Sequence, residues 1–155
     1  MANLAPSGAF NKDTHVFPVR VYYEDTDAAG IVYYANYLRF AERARSEMLR
    51  AAGIEIGRLA AERGLAFAVK SCAIDYLVPA RLDDALEVHT KVVEIGHASL
   101  RAEQTVKRPG PGGQIRDIAR LAVRVALLDR AGRPARLPND IRTLLLNLSQ
   151  SGSQS

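Results

Sequence analysis

Asp25 and Asp27 stand between a strand-like run and a glycine that leads into a helix, in the segment EDTDAAGIVYYANYLRF. That order of residue types suits acyl chemistry. A carboxylate delivered to the start of a helix can act as a base on water or as a nucleophile. The helix start offers unpaired N–H groups and positive potential, which stabilise a carbonyl oxygen as it gains negative charge. The small, permissive Gly30 lets backbone come close to a ligand. The same residues also make a plain polar turn, because aspartate between a strand and a helix commonly caps the backbone that follows. From the residues alone both readings stand. A DxD pair also suits a divalent cation, but no further carboxylate or histidine lies at helpful spacing, so no metal is expected.

The elements that position this segment follow from periodicity. Val19, Val21 and Tyr23 alternate with Arg20, Tyr22 and Glu24, the pattern of a strand running up to the aspartates with one face buried. Tyr37, Ala41, Ala44, Met48 and Ala52 then recur at helical spacing, with Gly53 placed to end the helix and Asn36 suited to cap its start. Arg39, Glu42, Arg43, Arg45, Glu47 and Arg50 limit burial of that helix to one side. Ile54 to Arg63 reads as a short second helical segment. From Leu65 the period changes to two. Strands are expected over Leu65 to Val78, closed by Pro79, around Leu86 to Val92, and around Leu100 to Val106. A final strand has Ile115, Ala119, Leu121, Val123, Val125 and Leu127 inward, and Ile118, Ala122 and Ala126 outward. Hairpin-length connections imply antiparallel pairing. Pro138-Asn139-Asp140 leads into a terminal helix through Leu146. One helix followed by a run of antiparallel strands packs most simply as a curved sheet covering that helix, an α+β architecture.

The chain has 155 residues and 48% hydrophobic content, which suits one core. Residues 1–14 read as a flexible arm, 15–148 as the single domain, and 149–155 as a disordered Ser/Gln/Gly tail. A net charge of +4 and a pI near 9.5 give a mildly basic surface suited to polyanionic ligands. Cys72, the only cysteine, excludes an intramolecular disulfide and reads as a small core residue in a reducing cytoplasm. The N-terminal residues lack the pattern of a secretory signal, and no segment approaches the roughly 20 apolar residues of a membrane span. Any membrane contact is expected to be peripheral. His15, His89 and His97 are scattered, without a partner that suggests a triad, and read as surface histidines.

The segment DTDAAGIVYYANYLRFAERARSE resembles the motif of hotdog-fold acyl-CoA thioesterases of the 4-hydroxybenzoyl-CoA thioesterase type, most closely the branch encoded beside the bacterial Tol-Pal system. YLVPARLDD, from Tyr76 to Asp84, and RLPNDI, from Arg136 to Ile141, fit the same branch in order and spacing. The resemblance implies a curved antiparallel sheet around one long central helix, and hydrolysis of acyl-CoA to a free acid and coenzyme A. It places the catalytic carboxylate on Asp27 and the oxyanion-stabilising backbone amide on Tyr34. The Tol-Pal branch often carries histidine at that position. Gly30 would allow close approach, Tyr33 and Asn36 would line the site, and the turn His97-Ala98-Ser99 would hold the pantetheine and nucleotide parts of coenzyme A. Arg101, Lys107 and Arg108 are candidates to meet phosphates. No cofactor is implied.

The resemblance also implies homo-oligomers, with subunits paired side by side to complete two equivalent sites and the dimers joined as tetramers. Coenzyme A and acyl carrier protein are both candidate acyl donors. Two other classes fit parts of the sequence. One is a non-catalytic acyl-CoA or acyl-carrier-protein binding module. The other is a basic RNA-binding or membrane-edge protein, which the pI favours and the lack of an aromatic-basic motif disfavours; nucleic acid is not an expected partner.

Overall fold

In the computed structural model, which describes residues 5–150 and side chains through residue 148, six strands form one antiparallel sheet in the order β1-β2-β4-β5-β6-β3. The strands are β1 (Ala9–Asn11), β2 (Thr14–Arg20), β3 (Ala66–Tyr76), β4 (Ala85–Ile95), β5 (Ser99–Pro109) and β6 (Ile115–Leu128). The helices are α1 (Asn36–Ala51), α2 (Ile56–Arg63) and α3 (Asn139–Gln150). The expected α+β architecture is present. Helix α1 lies against the sheet because Tyr37, Phe40, Ala41, Ala44, Met48 and Leu49 recur along one side, and that side is buried. They meet Val88, Val92, Ala102, Val106, Leu121 and Val123 in one continuous core. Each large side chain buried there contributes about 1.5–3 kcal/mol.

Several boundaries differ from the periodicity. The strand expected to run to Glu24 stops at Arg20, and Tyr23–Asp25 form a 3-10 turn that leaves Tyr23 82% exposed. The Asp25 carboxylate takes the Tyr22 N–H at 2.8 Å, and the Asp25 N–H returns to the Tyr22 carbonyl, so the chain turns on itself before the helix. The arm expected over 1–14 is not loose throughout, since Ala9–Asn11 pairs with Thr14, His15 and Val16. At the other end α3 runs through Gln150, into the segment read as a tail; residues 1–4 and 151–155 lie outside the described part.

Strand β6 carries a register shift. Val106 pairs with Ala119 but Lys107 pairs with Asp117, so Ile118 is an extra residue and the inward alternation flips below it. Ile118 is therefore wholly buried, its carbonyl accepting the Leu77 and Val78 N–H groups, while Ile115 is exposed. Ala126 is buried as well, and of the apolar trio expected on the outer face only Ala122 is exposed. Cys72, expected in the core, is exposed because β3 is the edge strand and pairs on one side only. His15 departs the other way: it is wholly buried under α1, and neither ring nitrogen has a hydrogen-bond partner among the described residues.

Candidate active site

The Asp27 hairpin is built by backbone pairing. Thr26 and Val32 form an antiparallel bridge, the Asp27 N–H donates to the Ile31 carbonyl at 2.9 Å, and the Gly30 N–H closes the turn on the Asp27 carbonyl at 3.0 Å. Gly30 holds a φ of 77°, which an L side chain rarely adopts, and nothing crowds its open side. One carboxylate oxygen of Asp27 accepts the Ala29 N–H at 2.8 Å, so the side chain does cap its own turn. The other oxygen accepts no hydrogen bond among the described residues, and the side chain is exposed.

Asp25 fastens this hairpin to the helix. It is 8% exposed; its carboxylate accepts the Tyr22 N–H and, at 3.1 Å, the Asn36 side-chain amide, and its carbonyl accepts the Tyr33 N–H at 2.9 Å. Asp25 thus orders the loop, and its carboxylate is spent on doing so. Asn36 is not the cap: Ala35 occupies that position with helical backbone angles, and the Asn36 side chain is spent on Asp25. The Tyr33 carbonyl accepts the Asn36 N–H at 2.8 Å, while the Tyr34 N–H donates to no acceptor among the described residues. That leaves a free donor immediately before the cap of α1.

Tyrosines surround this donor. Tyr33 and Tyr34 are exposed with ring centroids 4.8 Å apart, and Tyr76 of β3 packs on Tyr34 at 6.2 Å and on Tyr37 at 5.8 Å. The Tyr76 hydroxyl donates to the Tyr34 carbonyl at 3.1 Å, a tie from the edge strand to the helix start that spacing in the sequence could not reveal. The adjacent Tyr34 phenol holds the Tyr33 phenol above its ordinary pKa. A cavity of about 540 Å3 opens between α1 and β3, lined by Leu38, Arg45, Met48, Phe67, Val69 and Val123 among others.

His97, Ala98 and Ser99 do not join Asp27 within one chain. They form the turn at the far end of β4, whereas the hairpin lies beside its start, where Arg20 pairs with Ala85 and Ile31 bridges to Arg81. An 11-residue strand separates the two, roughly 33 Å at about 3.3 Å per residue. The carbonyls of Gly96, His97 and Ala98 are taken by Arg142, Leu137 and Leu127, which pins the turn to α3 and β6. The basic side chains suggested for phosphates are engaged: Arg101 with Glu94, Lys107 with Asp117, and Arg108 with Asp84.

A curved antiparallel sheet wrapped on one long helix is the hotdog fold. The chain belongs to the thioesterase-like superfamily, whose family model matches residues 21–145. It is 44% identical to the acyl-CoA thioesterase YbgC of Haemophilus influenzae over 133 residues, 85% of this chain and 94% of that relative. Among solved structures it resembles a probable thioesterase from Bartonella henselae, with 36% identity and a TM-score of 0.72, covering 81% of this chain and 99% of that one. It also resembles 4-hydroxybenzoyl CoA thioesterase from Pseudomonas sp. strain CBS-3, with 26% identity and a TM-score of 0.78, covering 84% and 98%. The chain is an enzyme of the thioester hydrolase class.

Proposed function

We propose that the chain hydrolyses acyl-CoA thioesters to a free acid and coenzyme A, with Asp27 as the reacting carboxylate and the Tyr34 amide as the oxyanion donor. The observation that carries this reading is the pairing of one uncommitted Asp27 oxygen with one uncommitted N–H at the start of α1, held together through Asp25 and Asn36. The free oxygen either removes a proton from water or attacks the thioester carbon to give a transient mixed anhydride. In both routes negative charge grows on the carbonyl oxygen, and one well-placed donor there is worth about 2.7–4 kcal/mol. Tyr33 and the apolar cavity beside α1 receive the acyl group.

Two copies complete the site in this reading. Strand β3 is an edge with most of its residues exposed, including Val69 and Tyr76. A second copy added antiparallel along β3 brings the Ala66 end of one chain beside the Tyr76 end of the other. The Ala66 end holds His97 to Ser99, through Leu128 and Ala126, and the Tyr76 end holds Tyr34 and Asp27. The separation of roughly 33 Å within one chain is thereby closed between chains. Coenzyme A or acyl carrier protein presents the same thioester to such a site, and a cytoplasmic location suits either donor. No helix among the described residues is long and apolar enough to cross a membrane.

The test is free-thiol release from a panel of acyl-CoA esters by the wild type and by Asp27→Asn. Turnover by the wild type with a large loss in the variant supports the reading. Absence of thiol release across the panel refutes it, and tight binding without release identifies a binding module in its place.

A further inference from the structure

The cavity between α1 and β3 has mostly apolar walls, formed by Leu38, Met48, Leu49, Phe67, Val69 and Val123, but Arg45 stands in them. Its guanidinium donates to Gln104 Oε1 at 2.9 Å. Gln104 is 1% exposed, and its amide orientation is determined, because its Nε2 donates to the Ala41 carbonyl, which can only accept, and to Thr90 Oγ1. The buried amide thus holds one edge of the guanidinium without neutralising it. No carboxylate lies within ion-pair distance of Arg45 among the described residues; the other arginine of the cavity wall, Arg39, also lacks one but is exposed, whereas Arg45 is half-buried and fixed to Gln104. Glu42, one turn earlier on α1, shares the cavity wall and is exposed. Burial holds Arg45 below its ordinary pKa, and the Glu42 charge offsets this only in part.

Leaving a cation half-buried against apolar walls costs energy unless something pairs with it. A planar guanidinium with spare donors matches a carboxylate in two-pronged geometry. The distance is also suitable. Asn36, the first residue of α1, and Arg45 are nine residues apart, roughly 14 Å along a helix axis, Tyr34 lies two residues before that start, and helical side chains lean back toward the helix N-terminus. The arginine side chain itself spans much of that gap, leaving room for a short run of methylenes between a thioester carbonyl at the Tyr34 amide and a terminal carboxylate at Arg45.

We propose that this cavity receives acyl groups ending in a carboxylate, so that the preferred substrates are monothioesters of dicarboxylic acids and Arg45 is the residue that selects them. The inference rests on the thioesterase reading above and names its substrate class. Gln104 acts through Arg45, as a positioning residue.

The test compares adipoyl-CoA with hexanoyl-CoA, equal in length and differing in the terminal carboxylate, by free-thiol release. The wild type should show the higher kcat/KM for adipoyl-CoA, and Arg45→Met should lower the adipoyl-to-hexanoyl ratio of kcat/KM by about 10- to 100-fold, mostly through KM. Arg45→Lys, which keeps the charge, should restore part of the ratio. A wild-type preference for hexanoyl-CoA, or a ratio unchanged in Arg45→Met, overturns the inference while leaving the thioesterase reading intact. Arg45→Met that alters the assembly state in size-exclusion chromatography also overturns it, since Arg45 would then pair with a second copy. No thiol release from either ester by the wild type refutes the thioesterase reading itself, and the inference with it.

Discussion

Replacing Asp25 tests how the Asp27 hairpin is held to the helix. Asp25→Ala removes two hydrogen bonds to a carboxylate, from the Tyr22 N–H at 2.8 Å and the Asn36 amide at 3.1 Å, at a site 8% exposed. Bonds to charged groups are worth about 1.5–3 kcal/mol each. Tyr22 is 59% exposed, so water can replace part of its loss. The low end applies, and the sum is about 3 kcal/mol. For a domain of this size that lowers Tm by roughly 6 to 12 °C. Asn36→Ala removes only the second bond and should cost about half as much. The double variant should show a coupling energy of about 1.5 kcal/mol between the two positions, measured by urea denaturation of all four proteins. Asp25→Asn keeps one acceptor oxygen and should fall between wild type and Asp25→Ala in both stability and turnover. A coupling energy below about 0.5 kcal/mol, with Tm unmoved in Asp25→Ala, would refute the claim that this carboxylate ties hairpin to helix.

Asp27→Asn should leave the fold intact, since the exposed turn keeps its acceptor for the Ala29 N–H, and should lower turnover by about 100- to 10,000-fold in the thiol-release assay. Tyr34→Phe and Tyr34→His should retain substantial activity because both keep the backbone N–H, whereas Tyr34→Pro deletes it and should abolish turnover, with circular dichroism checking the helix start. His15 is wholly buried, facing Glu47 of α1, Thr90 of β4, Phe10 of β1 and the Ser7 backbone; burial pushes its pKa down and the Glu47 charge offsets this in part. Below about pH 6.5 the unfolded chain therefore binds a proton that the native state refuses. Stability is full above that pH and falls as pH drops toward the native pKa, by at most about 1.4 kcal/mol per unit. His15→Leu should flatten this slope in thermal melts between pH 6.5 and 5, and an unchanged slope would assign it to other groups.

Local chemistry was legible in the residues themselves. The periodicity of Tyr37, Ala41, Ala44 and Met48 defined α1, Gly53 marked its end at positive φ, and the alternation around Leu86 to Val92 and Leu100 to Val106 marked β4 and β5. These signals are short-range, so they survive without knowledge of partners. The DTDAAG motif likewise located a turn ahead of the helix start. What it could not convey was which carboxylate is committed: Asp25 and Asp27 differ by their bonds to Tyr22, Asn36 and Ala29, which exist only once the chain has turned.

Tertiary structure alone decided the rest. A register shift depends on how two strands pair, so the burial of Ile118 and the exposure of Ile115 were invisible to a period of two. Edge position depends on strand order, which is why an apolar-looking β3 lies open with Cys72 and Val69 exposed. The Tyr76–Tyr34 bond and the Arg45–Gln104–Thr90 network join residues far apart in the chain. The distance between Asp27 and the His97 to Ser99 turn belongs to the same group, because it is set by the length of β4 laid flat in the sheet. Sequence determined the chemical groups and their local conformations; packing of the whole chain determined which of those groups remain free to react.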